Sequence, residues 1–296
     1  MATKTKKSFL SRLSNFKVVF RYVKECFAIV IQGAGVKDKV ILFVYYTRIP
    51  FVIVKSLVTG KHFRAIEEQK QYLIGNVTIK NKDGVFYCGN NILTVYIADH
   101  NYEKHLYPHF KPALGYFIDI GAHIGKYSVK VAKNHGISVV AIEPDKFNFS
   151  LLEKNVGLNC LKNVSCINKA VFSEQKELSF YVAGQGEGSH SFLKHPDSLY
   201  SLKIEADTLD SIVKSLTITS RISLIKIDTE GAEVEIIKGA MEVIRTNKPD
   251  LIIEVLKENS SHLDTIVKLL SQYNYNLLKL DDDNYIFRSG EIKGEI

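Results

Sequence analysis

The chain has 296 residues, 46% hydrophobic and 24% charged, enough to bury one large core with an extension and too apolar for a disordered protein. Its net charge of +7 is local: residues 1–64 hold thirteen Lys/Arg against Glu25 and Asp38, a net of +11, which leaves the rest at −4. Cys26, Cys88, Cys160 and Cys166 show no C-x-x-C or metal spacing, which argues against a disulfide scaffold or zinc module and favours a reducing compartment, with all four as small buried hydrophobes.

In chain order, Phe9, Leu13, Phe16, Phe20, Val23, Phe27 and Val30 recur at steps of four and three. They predict one apolar helix face, flanked by Lys17, Arg21 and Lys24 and stopped by Gly33 and Gly35. The basic start lacks the compact apolar region and cleavage site of a signal peptide, so none is expected. Asp38 can cap a second stretch, VILFVYYTRIPFVIVKSLV at 40–58, which Arg48, Pro50 and Lys55 interrupt. It is long enough to span a bilayer, but a central Arg costs at least ~2.5 kcal/mol there and the proline invites a break, so it reads as interfacial. Two readings stay open for 1–58: a membrane surface, or packing on the molecule's own surface or a second subunit. Nucleic acid is not expected, since no zinc, helix-turn-helix or RNA-binding signature accompanies the charge.

Residues 65–112 read as a small β-rich lead-in after the helical extension 1–64. Short alternating runs fill YLIGNVTIKNKDGVFYCGNNILTVYIADH, with Lys82-Asp83-Gly84 as a hairpin turn. His100, His105 and His109 lack an evident third metal partner and read as solvated or capping residues.

The domain 113–296 opens on YFIDIGAHIGKYSV: an apolar strand, a turn with Gly121 and Gly125, then a helical pattern at Tyr127, Val131 and Ala132. Glycines admit close backbone approach, and the helix N-terminus offers unpaired N–H groups. The turn lacks the G-x-G-x-x-G of a dinucleotide site. Asp119 beside the turn would repel a phosphate, and Glu143, at the end of a second buried strand at 137–144, suits the hydroxyls of a ribose. An adenosine carrying an amino acid fits both carboxylates better than a dinucleotide.

Beyond it, a helix is expected at 147–160 and a third strand, VSCINKAV, at 164–171; ELSFYV is a strand and GQGEGSHSFL at 184–193 a glycine-rich loop. The strand ISLIKIDTE brings Asp228 to the carboxyl edge of the sheet, where open α/β folds bind ligands, and Glu230 is expected to open the next helix beside its positive end. Asp228 could orient an acceptor hydroxyl or take its proton, whereas Glu233 reads as a helix cap. KPDLIIEVLKEN at 248–259 is a fifth strand ending in Glu254; a cation between Asp228 and Glu254 lacks an evident third ligand. A helix at 261–272 and the pair NYNLLKL and YIFR close the chain, with Asp281 to Asp283 as turn residues.

DIGAHIG, the AIEP strand end, INKAV, ADTLDSI and above all LIKIDTEGAEVEIIKGA resemble the FkbM family of S-adenosylmethionine-dependent methyltransferases over about 116–256. His123 stands where the family more often has Asn. The resemblance implies a Rossmann-like class I methyltransferase sheet, mostly parallel with an antiparallel last strand. It implies S-adenosyl-L-methionine as cofactor, with Asp119, Gly121, His123, Gly125, Glu143, Asn168 and Ala170 around it. It also implies methylation of a hydroxyl on a sugar, as glycan or lipid-linked saccharide, or on a secondary metabolite. Asp228 is the candidate base and His190 a second catalytic candidate, with Ser189 and Glu230 on the substrate side; no metal is assigned. The competing readings are a non-catalytic, membrane-attached nucleotide-binding protein and an NAD-dependent Rossmann enzyme. The expected location is the cytoplasm, at the inner face of the membrane if the basic helices bind lipid.

Overall fold

The computed structural model describes residues 23–48, 75–112, 114–182, 200–229 and 231–289. The chain clusters into two compact units, one formed by residues before Lys82 together with Tyr87–Asp99, the other by Lys82–Phe86 and His100 onward.

In the first unit the backbone is helical at 23–31, turns at Gly33 and enters α1 (Val36–Tyr46). The helix begins before the expected stretch, with Gly35 and not Asp38 at its N-cap; Asp38 lies inside the first turn, where its carboxylate accepts the Gly35 and Thr78 N–H groups, each at 2.9 Å. No described helix is long and apolar enough to cross a membrane; residues 1–22 and 49–58 of the two stretches lie outside the described residues. β1 (Val77–Lys80) pairs with β2 (Val85–Gly89). The lead-in is less β-rich than its alternation implies, because ILTVYIA forms helix α2 (Ile92–Ala98). Its β-branched and aromatic residues favour a strand, but Asn91 accepts the Leu93 N–H at 2.8 Å and the Thr94 hydroxyl donates to the Cys88 and Asn91 carbonyls. Local capping outweighs propensity there.

The second unit runs β3 (Tyr116–Ile120), α3 (Lys126–His135), β4 (Ser138–Ile142), α4 (Lys146–Leu158) and β5 (Val164–Ile167). Next come β6 (Ala170–Val171), β7 (Lys176–Val182), β8 (Tyr200–Asp207) and α5 (Leu209–Ser215). Then follow β9 (Ile222–Ile227), α6 (Glu233–Lys238), α7 (Met241–Asn247), β10 (Asp250–Glu254), α8 (Ser260–Leu270), β11 (Tyr275–Lys279) and β12 (Asn284–Ser289). Seven strands form one sheet in the order β11-β12-β10-β9-β3-β4-β5. The five from β10 to β5 are parallel, and β12 runs antiparallel to both neighbours. This is the mostly parallel sheet expected, closed by an antiparallel strand.

VSCINKAV is not one strand. It splits after Ile167, and Ala170–Val171 joins a separate sheet of order β6-β8-β7. The cause is Asn168, whose Nδ2 donates to the Glu143 and Pro144 carbonyls, turning the chain across the end of β4. The cysteines also differ from expectation: Cys26 and Cys88 are buried, but Cys166 is intermediate and Cys160 exposed. Cys160 lies in the turn after α4 with φ 54°, on the surface where connections run.

Strand alternation divides the core. Ile118, Ile120, Ile225, Ile227, Leu251 and Ile253 pack on one side with residues of α5 to α8 such as Ile212, Ile236, Ile244 and Ile266. Phe117, Val139, Leu224 and Ile252 pack on the other with Leu106, Phe110 and, from α3, Tyr127 and Val131. Each such side chain contributes roughly 1.5–3 kcal/mol by leaving water. On this second side the apolar pattern stops one residue short of the strand ends, and polar residues take over.

Candidate active site

The glycine turn after β3 is built against the end of β9. Gly121 has φ 79°, and a Cβ there would lie 1.8 Å from the Asp228 carbonyl oxygen. Its missing side chain lets the DIGAHIG and KIDTEG segments touch, and the Asp228 N–H donates to the Ile120 carbonyl at 3.0 Å. The glycine expected to admit a ligand thus has a packing role as well. His123 has φ 51°, a left-handed conformation in which His and Asn are both enriched. That shared tolerance accounts for histidine where the resembled family more often has Asn. The His123 N–H donates to Glu143 Oε2 at 2.8 Å and the Asp145 N–H to Oε1 at 2.9 Å. Glu143 thus ties both turns together and keeps a further lone pair on each oxygen for hydroxyl donors. Burial drives its pKa up, against those two N–H donors, to about 8.

Four polar side chains finish the second face of three adjacent strands. Asp119 on β3 is in register with Lys226 on β9; Asp228 and Glu254 follow one step beyond the pairing of Ile227 with Ile253. A period of two therefore places all four on the face covered by α3. Asp119 is fully buried; its Oδ2 accepts from the Ser128 hydroxyl at 2.6 Å, and its Oδ1 has no hydrogen-bond partner. Burial raises its pKa, opposed by the Lys226 ammonium. Lys226, 4% exposed, donates from Nζ to Asp228 Oδ2 at 2.6 Å, while the Asp228 side chain remains 31% exposed. Burial pushes the Asp228 pKa up, but Lys226 and a hydrogen bond with Glu254 override it and hold the group below its ordinary value. The charge of Asp228, reinforced by burial, pushes Glu254 far up. The pair carries one proton at neutral pH, shared between two carboxyls beside an ammonium.

Glu103, before β3, completes the group. It sits at φ 48° and accepts from the Tyr127 hydroxyl, while Lys126 Nζ donates to the Tyr102 carbonyl at 2.8 Å. Burial, then the charge of Asp228, raises the Glu103 pKa. Glu103 and Glu254 line an open cleft of about 660 Å³ whose far wall is Lys279 to Asn284.

Of the sequence-derived candidates, the structure brings together Asp119, Gly121, His123, Gly125, Glu143 and Asp228, with Asn168 bracing the Glu143 carbonyl. It does not bring Ala170, which is 1% exposed and packs with Ile204 and Ala206 in the small sheet. Ser189, His190 and Glu230 lie outside the described residues. The helix expected at Glu230 begins at Glu233. Glu233 does not cap that helix as expected: Ala232 is the N-cap, and the Glu233 carboxylate turns back to accept the Gly231 N–H of the preceding loop at 2.6 Å and meets His262 at 2.9 Å. Asp281 is a turn residue, its Oδ1 accepting the Asp283 and Asn284 N–H groups. Of the lead-in histidines, His100 is less solvated than expected, being paired with buried Asp83, whereas His105 is exposed as expected and pairs with Asp281. From the sequence Glu254 enters only as a possible cation partner of Asp228, and Glu103, Lys226, Tyr127 and Ser128 are not assigned to the site. Ser128 carried a signal, a polar residue in the otherwise apolar row of α3; Glu103 carried none.

A protein-family model described as the Methyltransferase FkbM domain matches residues 119–277, more than half of the chain. Among curated proteins, the chain is similar to Methyltransferase 1 of Beauveria bassiana (strain ARSEF 2860), 21% identical over 147 residues, which cover 43% of this chain and 59% of that protein. The chain thus spans less than two thirds of that relative's length. Among solved structures it is similar to Methyltransferase FkbM from Methylobacillus flagellatus KT, with 23% identity, 59% of this chain and 43% of that chain covered, and a TM-score of 0.42. It is similar also to M. jannaschii TYW2 in complex with AdoMet, with 14% identity, coverage of 72% and 83%, and a TM-score of 0.42. The family match begins at Asp119 and takes in Lys226, Asp228 and Glu254, and on that match the chain belongs to the FkbM family of S-adenosylmethionine-dependent methyltransferases.

Proposed function

We propose that this chain methylates a hydroxyl group of a saccharide, free, glycan-borne or lipid-linked, or of a hydroxylated secondary metabolite, with Asp228 as the proton acceptor. The observation that carries this reading is Asp228 itself, partly exposed just beyond the end of β9 and held ionised by Lys226. The cofactor fits the residues present. Asp119 offers a buried, unpaired oxygen and Glu143 retains lone pairs for the ribose hydroxyls. When bound, S-adenosylmethionine supplies a methyl group already activated by a positive sulfur.

This chain's residues then position the acceptor and remove its proton. With the cofactor bound, Asp228 would accept the hydroxyl proton as the acceptor oxygen takes the methyl carbon and the methyl–sulfur bond breaks to leave a neutral thioether, and Glu254, carrying the pair's proton, would act as a neutral hydrogen-bond donor that keeps Asp228 oriented. Lys226 offsets the remaining charge. The cleft beside Glu254 suits a hydroxyl-rich acceptor because seven of its eight lining residues are polar or charged. Incorporation of label from methyl-labelled S-adenosylmethionine into fractionated saccharide and metabolite pools tests the proposal. Asp228→Asn is expected to cut incorporation about 10²- to 10⁴-fold with S-adenosylhomocysteine affinity little changed, and Glu254→Gln, which keeps a neutral donor, to stay within about tenfold of the parent. Full activity in Asp228→Asn would remove that residue from the reaction.

A further inference from the structure

Helix 23–31 and α1 each show two apolar faces. One is internal: Cys26, Ile29, Leu42, Tyr45 and Tyr46 are buried. The other is open: Val23 is 52% exposed, Phe27 64%, Ile31 57%, Val36 80%, Val40 54% and Phe43 58%. Half of the large hydrophobic side chains exposed among the described residues belong to these two helices. At about 100° per residue, Val36, Val40, Phe43 and Val44 share one arc of α1, with exposed Lys39 at one edge and Lys37 at the other. Lys24 borders the row of Val23, Phe27 and Ile31 in the same way. Of the acids, Asp38 is occupied by the Gly35 and Thr78 N–H groups. In sequence the row continues upstream through Phe20 and Phe16, with six further basic residues and no acid before Val23.

We propose that this surface docks on an anionic lipid membrane, with the apolar rows inserted at the headgroup boundary and the bordering lysines on acidic headgroups. An apolar face edged by lysines matches that chemistry on both counts. A second copy of the chain matches it poorly, because a two-fold contact sets the same lysine borders against each other. In α1 the exposed apolar residues run along one side of the helix, opposite buried Leu42 and Tyr45, a distribution that suits a helix lying parallel to the surface.

Flotation of the full chain with vesicles of phosphatidylcholine alone, or of phosphatidylcholine with about 30% phosphatidylserine, tests this. Binding is expected with the anionic vesicles only, weakening at high salt. The double substitution Phe27→Ser with Phe43→Ser is expected to weaken it about tenfold or more without changing the thermal unfolding midpoint, since both rings are exposed. Lys37→Glu with Lys39→Glu is expected to weaken it likewise. Equal flotation with neutral vesicles, no flotation with either, or equal flotation of the phenylalanine variant would each overturn the proposal. So would a parent dimer that the phenylalanine variant converts to monomer, which would assign the surface to self-association.

Discussion

Glu143 is a buried carboxyl whose charge has little solvent to support it, and the two N–H donors only partly compensate. With its pKa at about 8, it is mostly protonated at pH 7 in the free protein. Ribose hydroxyls donating to it favour the ionised form, so its pKa falls on binding. Cofactor binding at pH 7 is therefore expected to release close to one proton, and affinity to rise with pH up to about 8. Calorimetry of S-adenosylhomocysteine binding in two buffers of different ionisation enthalpy measures this directly; the same proton release from Glu143→Gln would refute the assignment. The two turn glycines separate on the same kind of argument. Gly121→Ala sets a methyl group against the Asp228 backbone at φ 79° and is expected to cost about 2–4 kcal/mol. Gly125→Ala meets only the Leu152 side-chain end, 2.5 Å away, and is expected to cost about 1–2 kcal/mol. Denaturant unfolding ranks the two, and the reverse order would contradict the packing role given to Gly121.

At the scale of elements, the strands and the helices were legible to different degrees for different reasons. β3, β4, β9 and β10 are short apolar runs between turn residues, and each appears where its pattern places it. The α2 segment was misread because Ile, Val, Thr and Tyr weigh toward a strand, whereas the decision lay with Asn91 one residue upstream. The same device works at α4. Asp145 Oδ1 accepts the Asn148 N–H at 2.8 Å, while its own N–H serves Glu143. Asp145→Ala removes only the first of these. It is expected to lower stability by about 1 kcal/mol and leave S-adenosylhomocysteine affinity unchanged, so a large loss of affinity would show that the cap also shapes the pocket. The break at Asn168 was hidden for another reason: its side chain bonds to carbonyls twenty-four and twenty-five residues earlier, a contact no local pattern records.

For the molecule as a whole, long-range charge placement follows this rule too. Asp83, in the hairpin turn the sequence announced, is 1% exposed and receives Lys130 at 2.5 Å, Tyr107 at 2.9 Å and His100 at 2.5 Å. Burial alone would raise its pKa; these donors lower it. A depressed carboxyl adds stability above its ordinary value of 3.8 that is lost as pH falls through the lowered one. Asp83→Asn is expected to cost about 2–4 kcal/mol at neutral pH, since it leaves Lys130 without its buried charge partner, and to flatten the acid limb of the stability profile; an unchanged profile would show that the cluster is not coupled to folding. The sequence by itself determined the parallel sheet, the glycine turn, Asp119, Glu143 and Asp228 at strand ends, and the basic amphipathic start, because period, turn chemistry and charge are local properties. Only the tertiary structure decided that Asp119, Lys226, Asp228 and Glu254 share one face, that Glu103 joins them, and that Ala170 is withdrawn into another sheet. Those outcomes depend on inter-strand register and on hydrogen bonds between residues far apart in the chain, where a shift of one residue would turn every side chain to the opposite side.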